Sequence, residues 1–161
     1  MTVDPGFEEL YRAEYSLVFR CAYVLCGDRT AAEEAAQEAF ARALARWSRL
    51  RDKPWAAGWV TTTALNVARR NLRRRPEAGP ELGSPPGRRE DKRLDEALDL
   101  WRAVRALPDR QREALVLYYI ADRPIQEVAL LMKCAEGTVK AHLAKARAAL
   151  RGVLGGQHVD R

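Results

Sequence analysis

The sequence predicts an all-α protein of two small helical domains joined by a flexible Pro/Gly linker. Three observations carry that prediction. Apolar residues recur at steps of three and four through both halves of the chain. Residues 76–91 (PEAGPELGSPPGRRED) are rich in proline and glycine and show no apolar periodicity. Near the C-terminus two helical stripes are separated by a few residues that suit neither, the pattern of a helix-turn-helix. The expected division is a first domain over residues 1–75, a linker over 76–92, a second domain over 93–155 and a tail over 156–161.

The elements follow in order. Asp4-Pro5-Gly6 opens the first helix, with Asp4 as cap and proline in the first turn. Phe7, Leu10, Tyr11, Tyr15, Val18, Phe19, Ala22 and Leu25 run down one face, and Gly27 stops the helix. Thr30-Ala-Ala-Glu33 reads as a capping box starting the second helix, with Ala36, Phe40, Ala43, Leu44 and Trp47 as its buried stripe. Glu34, Glu38, Arg42 and Arg46 lie opposite, with Gln37 beside them, and Glu38–Arg42 has the spacing of an i,i+4 ion pair. On the third long helix Trp55, Trp59, Thr62, Asn66, Arg69, Arg70 and Arg73 fall within roughly a quarter-turn arc. Aromatic rings stack on unpaired bases, amides read base edges and guanidinium groups hold phosphate, so this stripe suits an opened nucleic-acid strand.

Beyond the linker, Leu94, Ala97, Leu98, Trp101, Val104 and Leu107 define a helix ending before Pro108, and Asp109 begins the next, carrying Leu115, Leu117, Tyr118 and Ile120 inward. In the helix-turn-helix, Ile125, Val128, Leu131 and Met132 form the first stripe, and Val139, Leu143, Ala146, Leu150 and Leu154 the second. Opposite the second stripe lie Gly137, Ala141, Ala144 and Ala148, flanked by Lys140, Arg147 and Arg151 on one side and Thr138, His142 and Lys145 on the other. Small residues let a helix sit deep in a major groove while the cations meet phosphates.

Composition excludes several classes. Hydrophobic residues at 47% and charged residues at 31% describe a soluble globular protein, and no apolar run approaches bilayer length. The net charge of +6 favours a polyanionic partner, and it is divided. Residues 1–75 carry 13 basic and 9 acidic side chains, residues 76–92 carry 3 and 4, and residues 93–161 carry 12 and 9. Cys21, Cys26 and Cys134 form no CxxC pair and no metal-ligand spacing with His142 or His158, so reduced, packed thiols and no metal or cofactor are expected. No nucleophile–base constellation or phosphate-cradling glycine loop is present, so no catalytic residue is assigned. A cytoplasmic protein without membrane or small-molecule partners is the expectation.

The layout resembles the extracytoplasmic-function (ECF) class of bacterial RNA polymerase sigma factors, of an actinobacterial, SigE-like type. The segment Ala32–Leu44 looks like the polymerase-binding helix of region two. Trp59–Arg75 looks like the promoter-melting helix, and Leu107–Leu115 with Gly137–Leu150 looks like region four. The resemblance implies a sigma factor whose Glu34, Gln37, Glu38 and Arg42 face core RNA polymerase. Asn66, with Trp55, Trp59, Thr62, Arg69, Arg70 and Arg73, would contact the minus-ten element, and the loop Ser48–Lys53 would hold a flipped base. Thr138, Lys140, Ala141, His142, Lys145 and Arg147 would enter the groove at the minus-thirty-five element. Promoter DNA, as duplex and as opened strand, and an anti-sigma factor complete the implied partners. Family members usually carry Ser-Arg where this chain has Ala141-His142, and a capping Ser where it has Ala135. The run Thr138–Leu143 also resembles LuxR-like regulators, which would use the C-terminal half alone for DNA.

Overall fold

The computed structural model describes residues 2–74 and 91–154, with the side chains of 73–74, 91–98 and 153–154 left aside. Of the expected linker 76–92, residues 76–90 lie outside the described residues, as does the tail, while Asp91 and Lys92 already belong to a helix. The architecture is all-α: α1 Pro5–Cys26, α2 Arg29–Ala45, α3 Trp47–Leu50, α4 Ala56–Arg74, α5 Asp91–Ala106, α6 Asp109–Leu115, α7 Ile125–Met132 and α8 Glu136–Leu154. No helix among the described residues is long and apolar enough to cross a membrane.

Local chemistry accounts for most boundaries. The Asp4 carboxylate accepts from the Gly6 N–H at 2.8 Å, and that bond holds its pKa below the usual value. Gly27 closes α1 in the left-handed region at φ 66°. The start of α2 differs from the expected capping box. Asp28, not Thr30, is the cap, its carboxylate accepting from the Thr30 N–H at 3.1 Å, and Glu33 pairs sideways with Arg29. The helix starts at Arg29, so Thr30 is already its second residue and supplies the capped amide while its hydroxyl takes no cap position. Asp28→Ala is therefore expected to cost about 1 kcal/mol in chemical denaturation, whereas Thr30→Ala should cost far less.

In the first half α1, α2 and α4 pack mutually around Phe7, Val18, Ala36, Ala39, Phe40, Ala43, Val60 and Ala64. Alanines line the inner face of α2, so its backbone comes close to both neighbours. Leu44 was expected in that stripe, yet it stands 45% exposed, as does Tyr11 at 40%. Ala43 already fills the position facing the core, and the next residue is carried round to solvent. Part of the expected loop Ser48–Lys53 is also helical, as α3, anchored by buried Leu50.

In the second half α5, α6 and α8 enclose Val104, Leu107, Leu115, Ala146 and Leu150, and α7 packs on α8. Buried Arg112 clamps the α5–α6 turn, donating to the Arg105 carbonyl at 2.8 Å and to Asp109 at 2.7 Å. After α6 the chain widens into a π turn over Val116–Ile120, closed by the Ala121 N–H to the Val116 carbonyl. A third apolar cluster runs across both halves: Cys21, Leu25, Ala32, Leu65 and Ala68 meet Ala114, Val116, Leu117, Val128 and Met132. The two halves therefore touch along a seam.

Candidate nucleic-acid and polymerase interfaces

The helix-turn-helix is made of α7 and α8. Lys133 takes the left-handed conformation at φ 57°, and the Cys134 N–H returns to the Ala129 carbonyl at 3.1 Å. Arg110, from α6, caps the C-terminus of α7 through the Met132 carbonyl. With no side-chain cap at Ala135, α8 starts on the Ala135 carbonyl, which accepts from the Thr138 and Val139 amides at 3.0 and 3.1 Å. Val139, Leu143, Ala146 and Leu150 are buried as expected. Thr138, Lys140, Ala141 and Lys145 stand exposed, and His142 is half-buried beside them. A Cβ added at Gly137 would meet nothing within 4 Å. This is a small-residue face rimmed by cations, open to a groove. Arg147 stands apart from it: its guanidinium donates to the Tyr119 hydroxyl at 3.1 Å and braces α8 against the π turn.

On α4 the sequence stripe divides. Trp55 precedes the helix and its carbonyl accepts the first helical bond, from the Trp59 N–H at 2.9 Å. Trp55 and Trp59 are half-buried against the first core, and Arg46 lies 6.0 Å over the Trp59 ring, the outer limit of a cation–π contact. Asn66 accepts from Arg69 through Oδ1 at 2.8 Å. Arg69 in turn lies 3.8 Å from Asp109 of the second half and keeps only 29% of its side-chain exposure. Arg70 is exposed, and the Arg73 side chain lies outside the described residues. Thr61 and Thr63 are buried and bond back to the carbonyls of Ala57 and Trp59. Half-buried Thr62 keeps a buried hydroxyl without a partner among the described residues.

On α2, Glu34, Gln37 and Glu38 are exposed, and Arg42 bonds Glu38 at 2.7 Å. This polar face borders an apolar one that sequence reasoning assigned to the core. Tyr11 meets Phe40 edge-on at 4.9 Å, Tyr15 sits 5.1 Å from Tyr11, and Leu44 stands exposed on α2. Desolvation raises the Tyr15 pKa, and a hydrogen bond with Gln37 opposes the rise. The helical period gave the right stripe here, but not where that stripe leaves the core.

Among the described residues no group of three or more His, Cys, Asp or Glu is placed to hold a metal. The cysteines are free, and burial pushes the Cys21 thiol up to about 12 and the Cys26 thiol to about 11, where they are inert as nucleophiles.

Comparison with known proteins agrees with this geometry. Sigma-70 region 2 matches residues 10–76, and sigma-70 region 4 matches residues 97–150. Among curated proteins, none matches the chain. Among solved structures, the sigma factor RpoE of Bartonella quintana, in complex with the anti-sigma factor NepR, is 21% identical with a TM-score of 0.71, over 96% of this chain and 98% of that one. CnrH in complex with the cytosolic domain of CnrY is 20% identical with a TM-score of 0.72, over 94% of this chain and 89% of that one. At these identities the structural likeness is one of fold. Regions 2 and 4 together span well over half of the sequence and coincide with its two helical halves, so the chain belongs to the sigma-70 family: it is a sigma factor, with the two-region layout that its sequence shares with the ECF class.

Proposed function

We propose that this chain is an alternative sigma factor of the ECF class that recruits core RNA polymerase to particular promoters and helps open them. The observation that supports it best is the pairing, in one chain, of a region 2 whose α4 carries Asn66 and arginines with a region 4 whose α8 presents Thr138, Lys140, Ala141 and Lys145 to solvent. On this reading α8 enters the major groove at the minus-thirty-five element. His142 lies at the edge of that contact, and Arg147 acts by bracing the helix against Tyr119. The α4 stripe, from Trp55 and Trp59 through Thr62 and Asn66 to Arg69, Arg70 and Arg73, engages the minus-ten strand. Glu34, Gln37, Glu38 and Arg42 dock on the polymerase, a partner that places the protein in the cytoplasm. Structures with NepR and CnrY bound make an anti-sigma protein a fitting regulator. The finer type we propose is the actinobacterial, SigE-like one that the layout of the sequence resembles. A LuxR-like regulator is not favoured, because it gives no account of region 2.

Run-off transcription with purified core polymerase on genomic fragments tests the proposal. Wild-type protein should yield discrete transcripts. Asn66→Ala should lower them on the order of tenfold, by loss of base contacts, and Lys140→Ala a few-fold with a shallower salt dependence. No stimulation of core polymerase by the wild-type chain would sink the reading.

A further inference from the structure

The open face of α8 has two unlike edges. Counting about 100° per residue from Ala141 at its centre, Lys140 lies about 100° to one side and His142 about 100° to the other. Thr138 and Lys145 fall between Ala141 and His142, at about 60° and 40°. A helix laid in a major groove turns its two edges towards the phosphates of the two strands. One edge ends on the permanent charge of Lys140, the other on an imidazole. His142 is half-buried where Lys140 and Lys145 are exposed, so packing leaves its ring fewer positions than the lysine chains have.

The ring nitrogens are uncommitted: among the described residues no hydrogen bond or ion pair reaches them. On the helices packed against α8 the carboxylates are engaged elsewhere. On α6 Arg112 holds Asp109 and Arg110 holds Glu113, on α7 Arg123 pairs with Glu127, and on α5 Arg102 pairs with Asp99. Lys133, Cys134 and Glu136, around the turn into α8, make no bond to the ring either. A neutral imidazole has one donor nitrogen and no charge, whereas an imidazolium has two donors and a positive charge. Histidine passes between these forms between about pH 5 and 8.

We propose that His142 is a proton-dependent phosphate contact, so that duplex binding by α8 takes up a proton on this imidazole and weakens as pH rises. The proton comes from solvent and returns to it on release. No carboxylate of the free protein holds the imidazolium, so the phosphate beside the Thr138–Lys145 edge is the anion that favours it. Below the titration the helix grips both strands through charge; above it, one edge loses its outermost cation. The inference rests on the groove reading of α8 given above.

Fluorescence anisotropy of the full chain with a short fluorescein-labelled, mixed-sequence duplex tests it. Wild type should bind about three- to tenfold more weakly at about pH 8 than at about pH 6, with a salt dependence shallower by about 0.9, the share of one phosphate. His142→Gln should bind weakly and His142→Arg tightly at both pH values, each with a single salt slope. In a proton magnetic resonance titration at neutral pH, the His142 ring signal, identified by its loss in His142→Gln, should move to its protonated position as duplex is added. An equal pH effect in wild type and His142→Gln would overturn the proposal, because the titrating group would lie elsewhere, as at His158. A ring signal that stays in place would overturn it too. Lys140→Ala separates the two readings. Weaker binding by that variant beside a flat wild-type pH profile would refute the role of His142 alone, whereas unchanged binding would strike the groove reading of α8 itself.

Discussion

Phe40→Ala should lower the stability of the first half by about 3–5 kcal/mol, the cost of emptying an aromatic site in a packed core. Phe40 is 2% exposed and touches three other rings, with Phe7 at 6.4 Å, Tyr11 at 4.9 Å and Tyr15 at 5.9 Å. Its neighbours cannot collapse into the gap easily, because α2 already lies close on its alanine face and Phe7 is held edge-on by Trp47 at 5.6 Å. Urea denaturation followed by far-ultraviolet circular dichroism measures the loss. A cost below about 1 kcal/mol would mean that the ring cluster is not the keystone of this bundle. On the proposed reading the same substitution should weaken polymerase binding, since Tyr15 packs on Phe40 and is hydrogen-bonded with Gln37.

The second large effect belongs to Gly27. Two independent costs meet there, a left-handed backbone at φ 66° and a Cβ 2.7 Å from a rigid indole. The first is worth about 1 kcal/mol for alanine. The second cannot be relieved by turning a flexible chain end, because the obstructing atoms are ring atoms of Trp101, itself covered by Arg105 at 4.9 Å. Gly27→Ala in the natural background should therefore cost about 2–3 kcal/mol. In a Trp101→Ala background it should fall to about 1 kcal/mol, the backbone share alone. The difference is the coupling energy of a double-mutant cycle. Equal costs in both backgrounds would show that the indole does not press on the glycine in solution.

These positions also show what the sequence could and could not disclose. Helix faces were legible where a helix buries one stripe against its own domain, as with Val139, Leu143, Ala146 and Leu150. They were legible again at Gly27, whose place after an apolar stripe marks a helix end. What no period discloses is the companion of that glycine, because Trp101 lies far along the chain and packs across the seam. Gly58 had no reading at all, since its lack of a side chain serves Leu131 and not its own helix. The stripe from Trp55 to Arg73 reads as one surface, yet its Arg69 pairs with Asp109 of the second half while Arg70 is left to solvent. Leu44 failed for a related reason: apolar spacing says which residues share a face, not how far round the neighbours reach.

The widened turn at Val116–Ile120 has its own corollary. Together with Arg110, which grips the end of α7, it makes the orientation of α8 a property of the preceding segment, through Tyr119 and Arg147. Each residue advances a helix by about 100°, so deleting one here would swing the phenol away from its arginine. α8 would keep its sequence and its stripe yet lose its fixed pitch, pivoting like a key in a worn lock.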